Sequence, residues 1–137
     1  MKEFRSAIEA RDLDGLGALF TDDIVFRSPV VHAPYKGRDQ AMALLHAVSQ
    51  VFEDFRYTRE IGAPREPDSA LVFRARVGDR EVEGCDFIHL NEDGLIDELC
   101  VMVRPATGLM ALAEAMKRQL ELAAVSVPSE SDLGHHE

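Results

Sequence analysis

The chain is predicted to be an α+β fold in a single domain spanning 1–124, because three observations agree. Apolar residues recur at helical spacing through most of the N-terminal part, the spacing falls to a period of two from Phe55 to Arg104, and helical spacing returns from Leu109. Between the period-two runs stand Gly78-Asp79 and Asp93-Gly94, glycine-bearing pairs of the kind tight hairpins use. No internal repeat or linker divides the 137 residues, which suffice for one hydrophobic core.

The elements follow in order. Phe4, Ala7 and Ile8 mark a first amphipathic helix, and Leu13, Leu16, Leu19 and Phe20 a second, with Asp12 placed to cap it. Thr21-Asp22-Asp23 breaks that pattern, and Ile24 to Ser28 reads as a strand closed by Pro29. Val30 to Gly37 reads as a loop. A long helix is expected from Arg38 to Phe52, with Ala41, Leu44, Leu45, Val48 and Val51 on one face. Strands are expected over Phe55–Ile61, Ala70–Val77, Glu81–Leu90 and Leu95–Arg104. Leu109, Leu112, Ala113, Met116 and Leu120 form the packing stripe of a closing helix. Residues 125–137 are acidic and poor in apolar groups, so they are expected to be a disordered tail, and its adjacent His135 and His136 are read as incidental.

Hairpin geometry lets strand register be predicted. If Val77 faces Arg80, then Arg76 faces Glu81, Arg74 faces Glu83, Phe73 faces Gly84 and Leu71 faces Asp86; opposite charges meet twice, which supports that alignment. If Glu92 faces Leu95, then Val101 lies opposite Asp86, Leu99 opposite Ile88 and Glu98 opposite His89. One face then carries Leu71, Phe73, Ala75, Val82, Gly84, Ile88, Leu99, Val101 and Val103, with the Asp86 carboxyl in its midst. The other carries Val72, Cys85, Phe87, Cys100 and Met102 beside the ion pairs. Two apolar faces imply two coverings: the chain's own helices on one side and a second subunit on the other.

Composition excludes several function classes. A net charge of −10 with no basic stripe repels phosphate backbones, so no nucleic-acid partner is expected. No apolar run approaches the roughly 18 residues of a membrane span, and the N-terminus lacks a secretory stretch, so no membrane partner and a cytoplasmic location are expected. Cys85 and Cys100 make neither a disulfide framework nor a metal spacing, and no phosphate loop or nucleophile motif is present. Neither metal nor cofactor is expected.

Several segments together carry a family resemblance. They are the opening helix pair, Phe20-Thr21-Asp22-Asp23-Ile24-Val25-Phe26, the Ser28-Pro29 step, Tyr35-Lys36-Gly37-Arg38 entering the long helix, Asp86 through Ile96, and Met102-Val103-Arg104-Pro105. Over about residues 3 to 120 the chain resembles the nuclear transport factor 2-like superfamily and, within it, the SnoaL-like, polyketide cyclase-like group. The resemblance implies a curved, mostly antiparallel sheet forming a cone around the N-terminal helices, with a C-terminal helix, a ligand pocket in the mouth and dimerisation through the sheet. Ketosteroid isomerase relatives place a hydrogen-bonding aspartate where Asp86 stands, but their proton-shuttling aspartate would fall at Ser28 and their oxyanion tyrosine near Phe4. The arginine and second aspartate of limonene epoxide hydrolase relatives would fall about at Gly84 and Val103. The cyclase relatives, which require one pocket aspartate, are the best match.

The candidate catalytic residues are therefore Asp86 and His32. A carboxyl among Leu71, Val101 and Ile88 should have a raised pKa through desolvation and could exchange protons near neutral pH; its bland alternative is a buried aspartate held by a backbone amide, Ser28 or an arginine. His32, in the loop by the expected mouth, could pair with Asp86, or could be a surface histidine. Ser28 could bind ligand or cap the turn at Pro29, and Tyr57 could offer a phenol or simply pack. Phe26, Phe73, Leu71, Leu99 and Val101 complete the candidate ligand-binding set. His89 has a structural partner in Glu98, and His46 belongs on a solvated helix flank. Two readings follow: a cofactor-independent enzyme acting on a small, largely apolar molecule, or a non-catalytic dimeric module that binds such a ligand or pairs with itself.

Overall fold

In a computed structural model, which describes residues 1–64 and 66–122, the chain folds as α1 (Lys2–Ala10), α2 (Leu13–Gly17), β1 (Phe20–Arg27), β2 (Tyr35–Lys36), α3 (Arg38–Val51), β3 (Glu53–Ile61), β4 (Asp68–Val77), β5 (Arg80–Leu90), β6 (Ile96–Arg104) and α4 (Ala106–Leu122). The expected tail, 125–137, with His135 and His136, lies outside the described residues. No described helix is long and apolar enough to cross a membrane.

The strands form one sheet in the order β2-β1-β6-β5-β4-β3, antiparallel throughout except for the parallel β1–β6 pair. With α1, α2 and α3 on its inner face and α4 after it, this is the curved, mostly antiparallel α+β architecture the sequence predicts. The central registers are the predicted ones, including Leu71↔Asp86, Phe73↔Gly84 and Asp86↔Val101. The inner face is the core: Leu71, Phe73, Ile88 and Leu99 are fully buried against Phe4, Leu16, Phe20 and Ile24. A second cluster, Val51, Ala75, Val77, Val82 and Leu112, seats α4 on β4 and β5.

Local chemistry sets the element ends. The Asp12 carboxylate accepts the Gly15 amide at 3.0 Å, capping α2 as expected. Gly37, at φ +96, turns the chain into α3, and Arg38 ties that turn to β1 by donating from Nη2 to the Phe20 carbonyl at 2.7 Å.

Four features depart from the sequence reading. β1 begins at Phe20 rather than Ile24, because Phe20 pairs with Ile96 and carries the exposed Asp22 and Asp23 along the strand. Tyr35 and Lys36, read as loop, form a short strand on Val25 and Phe26. Arg76 faces Glu81 as predicted but binds Asp54, at 2.7 and 3.0 Å, because a bulge in β3 brings that carboxylate over it. A bulge in the β5–β6 pairing, beyond His89, offers Asp97 in place of Glu98, and His89 Nδ1 meets the Asp97 carboxylate at 2.6 Å.

Gly84 is the one inner-face position of β5 without a side chain. A Cβ there would run into the Phe73 ring and stand 2.9 Å from the Met102 carbonyl oxygen, so the absent side chain is what lets the Phe73 ring sit over Gly84. Gly84→Ala should therefore overpack the core and cost on the order of 2 kcal/mol, read as a lower urea midpoint with unchanged slope. An unchanged midpoint would mean that Phe73 has room to move.

Candidate functional site

The inner face of the sheet, the helices and the Ser28–Val31 loop enclose a cavity of about 1180 Å³. Its walls are overwhelmingly apolar. Phe52 and Phe55, where α3 passes into β3, meet Phe73 of β4 at ring separations of 5.5 and 4.9 Å, and Phe55 meets the Tyr57 ring edge-on at 5.0 Å. These four rings make one continuous wall. Phe4 and Leu16 close the α1–α2 side, and Phe26 and Tyr35 the β1–β2 side.

Asp86 opens into this space from the middle of β5. It is 7% exposed and is the only charged residue among the buried described residues. Among the described residues its single side-chain partner is Tyr57, 8% exposed, whose hydroxyl donates to Oδ2 at 3.0 Å. Burial pushes the Asp86 carboxyl from its ordinary value of 3.8 up to about 7, and the Tyr57 hydrogen bond, which favours the ionised form, pulls back against that rise. Tyr57 is itself driven well above the ordinary phenol range, first by burial and then by the Asp86 charge and hydrogen bond. At neutral pH the phenol is thus a fixed donor and the carboxyl a group that both holds and releases a proton.

Of the residues singled out from sequence, Asp86, Tyr57, Phe26, Phe73, Val101 and Ser28 line the cavity. Leu71 and Leu99 do not: both are fully buried in the core among the wall residues. His32 takes the surface alternative rather than pairing with Asp86. It is exposed and lines a separate shallow recess with Arg27, Cys100 and Met102. The cause is local: Ser28 Oγ accepts the Val30 and Val31 amides at 3.3 and 3.0 Å, capping a turn after which Tyr35, not His32, points inward opposite Phe26. Ser28 therefore serves the loop it borders as well as facing the cavity.

Three residues and one hydrogen bond went unrecognised in the sequence. Tyr35 alternates with the exposed Lys36, and that alternation was its only signal. Phe52 and Phe55 straddle a helix–strand junction, where neither period applies. The Tyr57–Asp86 bond was hidden because β3 bulges twice and joins β4 by a longer loop, so no hairpin turn fixes its register. Once Tyr57 is known to pair with Phe73, it falls on the Asp86 face.

Comparisons with known proteins agree with this architecture. The model of the SnoaL-like domain matches residues 1–99. A steroid delta-isomerase from Pseudomonas aeruginosa is similar at 44% identity over 90% of each chain, with a TM-score of 0.85. An uncharacterised bacterial protein with a cystatin-like fold, from Silicibacter pomeroyi DSS-3, is similar at 35% identity over 90% of this chain and 86% of that one, with a TM-score of 0.84. A SnoaL-like protein of unknown function from Burkholderia thailandensis E264 shares the fold, at 16% identity over 76% of this chain and 91% of the other and a TM-score of 0.59. No curated protein matches.

The buried carboxyl has a consequence for stability. With a folded value of about 7 against 3.8, the folded state keeps the Asp86 proton where the unfolded chain has lost it. The folded protein therefore loses stability as pH rises through that window, in total by on the order of 4 kcal/mol. Asp86→Asn removes this dependence. Urea titrations of both proteins should show the variant gaining roughly 2–3 kcal/mol on wild type between about pH 5 and about pH 8. A pH-independent difference would contradict the raised pKa.

Proposed function

We propose that this chain, which belongs to the SnoaL-like domain family of the nuclear transport factor 2-like superfamily, is a cofactor-independent enzyme of the isomerase or cyclase type. Its substrate is a small, largely apolar molecule, and Asp86 is its general acid/base. The observation that carries this reading is the buried Asp86 carboxyl, open to an apolar cavity and paired, among the described residues, only with a phenol. A volume of about 1180 Å³ accommodates a multi-ring molecule. The similar chain named as a steroid delta-isomerase supports the same class of chemistry.

A single group of this kind completes either reaction. The Asp86 carboxylate takes a proton from a carbon beside a carbonyl, and the C–H electron pair passes into the enolate. In an isomerisation the carboxylic acid returns that proton to another carbon of the conjugated system. In a ring closure the enolate carbon adds to a second carbonyl, and the proton goes to the new alkoxide. The proton count is restored in both, so no second carboxylate is needed at Ser28, where isomerase relatives carry one.

The cavity is open rather than filled by Phe26, Phe73 and Leu71, which favours the enzyme over a closed module, but His32 does not line it, which leaves Asp86 and Tyr57 as the reactive pair.

The outer sheet face supports a second copy as partner. Phe87 and Met102 are 43% and 58% exposed, Cys85 and Cys100 lie half-buried between them, and Glu83 is shared by Arg74 and Arg104 at 3.3 Å from each. A two-fold stacking would bury this apolar centre within a rim of both signs.

Multi-ring β,γ-unsaturated ketones in deuterium oxide provide the functional assay, with label uptake and double-bond migration followed by NMR. Asp86→Asn should bind these ketones within a few-fold of wild type while losing a hundredfold or more of the rate, about what acid–base catalysis contributes. Full activity in that variant would sink the assignment. For the dimer, Phe87→Asp or Met102→Asp should produce monomers in light scattering, whereas an unaltered dimer mass would rule out this face.

A further inference from the structure

We infer that Arg5 is a positioning residue for Asp86 that acts through Tyr57: the guanidinium on the outer face of the phenol ring strengthens the hydrogen bond that the ring's hydroxyl makes inside the cavity. The geometry is a line of three groups from surface to interior. The Arg5 guanidinium carbon stands 5.7 Å from the Tyr57 ring centroid, and the Tyr57 hydroxyl donates to Asp86 Oδ2 at 3.0 Å. Arg5 is held over the ring by carboxylates on both sides, Glu60 of β3 at 3.4 Å and Glu9 of α1 at 3.5 Å. Glu60 also meets the Met1 amine at 3.5 Å, so the start of α1 is fastened where the cation is needed.

A cation over a phenol ring draws electron density from it and makes the hydroxyl a better donor. A better donor favours the ionised carboxyl over the neutral one. Arg5 thereby works against the desolvation of Asp86 without entering the cavity. The direction of its influence on Tyr57 agrees: Arg5 lowers the phenol's affinity for its proton, whereas Glu9 raises it.

Few other charges reach this pair. The β-strand neighbours of Asp86, Leu71 and Val101, are uncharged, and Tyr35 faces the cavity from β2. From α3 and α4 the ionisable groups bordering the cavity are His46, Glu114, Lys117 and Glu121, all exposed, and Arg11 and Arg80 lie exposed at its edges. Among the described residues Arg5 is the cation over the Tyr57 ring.

This inference deepens the proposed function, yet its test reads the Asp86 proton directly and so is independent of turnover. The Asp86 midpoint is measured by carbon-13 NMR of the full-length protein with labelled aspartate, the signal being assigned by its loss in Asp86→Asn. Tyr57→Phe should raise the midpoint by about one pH unit, the value of one hydrogen bond to a charged group. Arg5→Gln should raise it by a few tenths, Arg5→Lys should restore the wild-type value, and Arg5→Gln should add nothing when combined with Tyr57→Phe. An Arg5→Gln midpoint equal to wild type overturns the inference, and so does an Arg5→Gln effect that persists undiminished in the double variant, since the charge would then act without the hydroxyl. Should Tyr57→Phe fail to fold by circular dichroism, the Arg5→Gln and Arg5→Lys pair at a half-buried surface position still decides it.

Discussion

A carboxyl group taken out of water without a countercharge is the constraint around which this molecule is arranged. Asp86 faces uncharged neighbours across both adjoining strands and receives one hydrogen bond, from Tyr57, in place of its hydration shell. That exchange leaves the ionised form undersupplied, and the balance between burial and one phenol sets the carboxyl near neutrality. A cavity that excluded the carboxyl, or a second donor that satisfied it fully, would leave a structural aspartate of ordinary acidity.

The rest of the fold serves this arrangement. Paired hairpins hold Asp86 on the inner face, since a slip of one residue in either would turn it outward. Gly84 leaves space in which Phe73 lies across the sheet, and Phe73 in turn supports Phe55, against whose ring Tyr57 stands edge-on. The bulges in β3 re-aim that strand so that its aromatic residues face the cavity while Asp54 and Glu60 engage arginines outside. Packing thus fixes the Tyr57 ring from one side and α1 fixes Arg5 on the other.

The legible part of the structure was the part governed by short-range rules. Gly78-Asp79 set the β4–β5 pairing, and counting from Asp93-Gly94 gives the β5–β6 pairing from His89 to Asp86 although not at the turn itself, where Leu90 pairs with Ile96; between them they place Asp86 among apolar neighbours. The α2 cap at Asp12 was equally local. What stayed hidden depended on irregular connections. The family resemblance implies that the His32 loop lies by the mouth, but Ser28's capping of Val30 and Val31 turns the histidine out and Tyr35 in. The partner of Asp86 lay on a twice-bulged strand whose register no turn sequence fixes. Leu71 and Leu99 share the Asp86 face, yet a period-two pattern cannot tell a cavity wall from the core among which that wall is built.

The central claim is that Asp86 can give and take a proton near neutral pH inside an apolar cavity. The most direct measurement is the titration of that one carboxyl in the wild-type protein, followed by carbon-13 NMR from acid to mildly alkaline solution. The account predicts a midpoint of about 7. A midpoint near the ordinary carboxylate value would contradict it, because Asp86 would then be a permanently ionised group whose burial is offset by interactions other than the Tyr57 hydrogen bond.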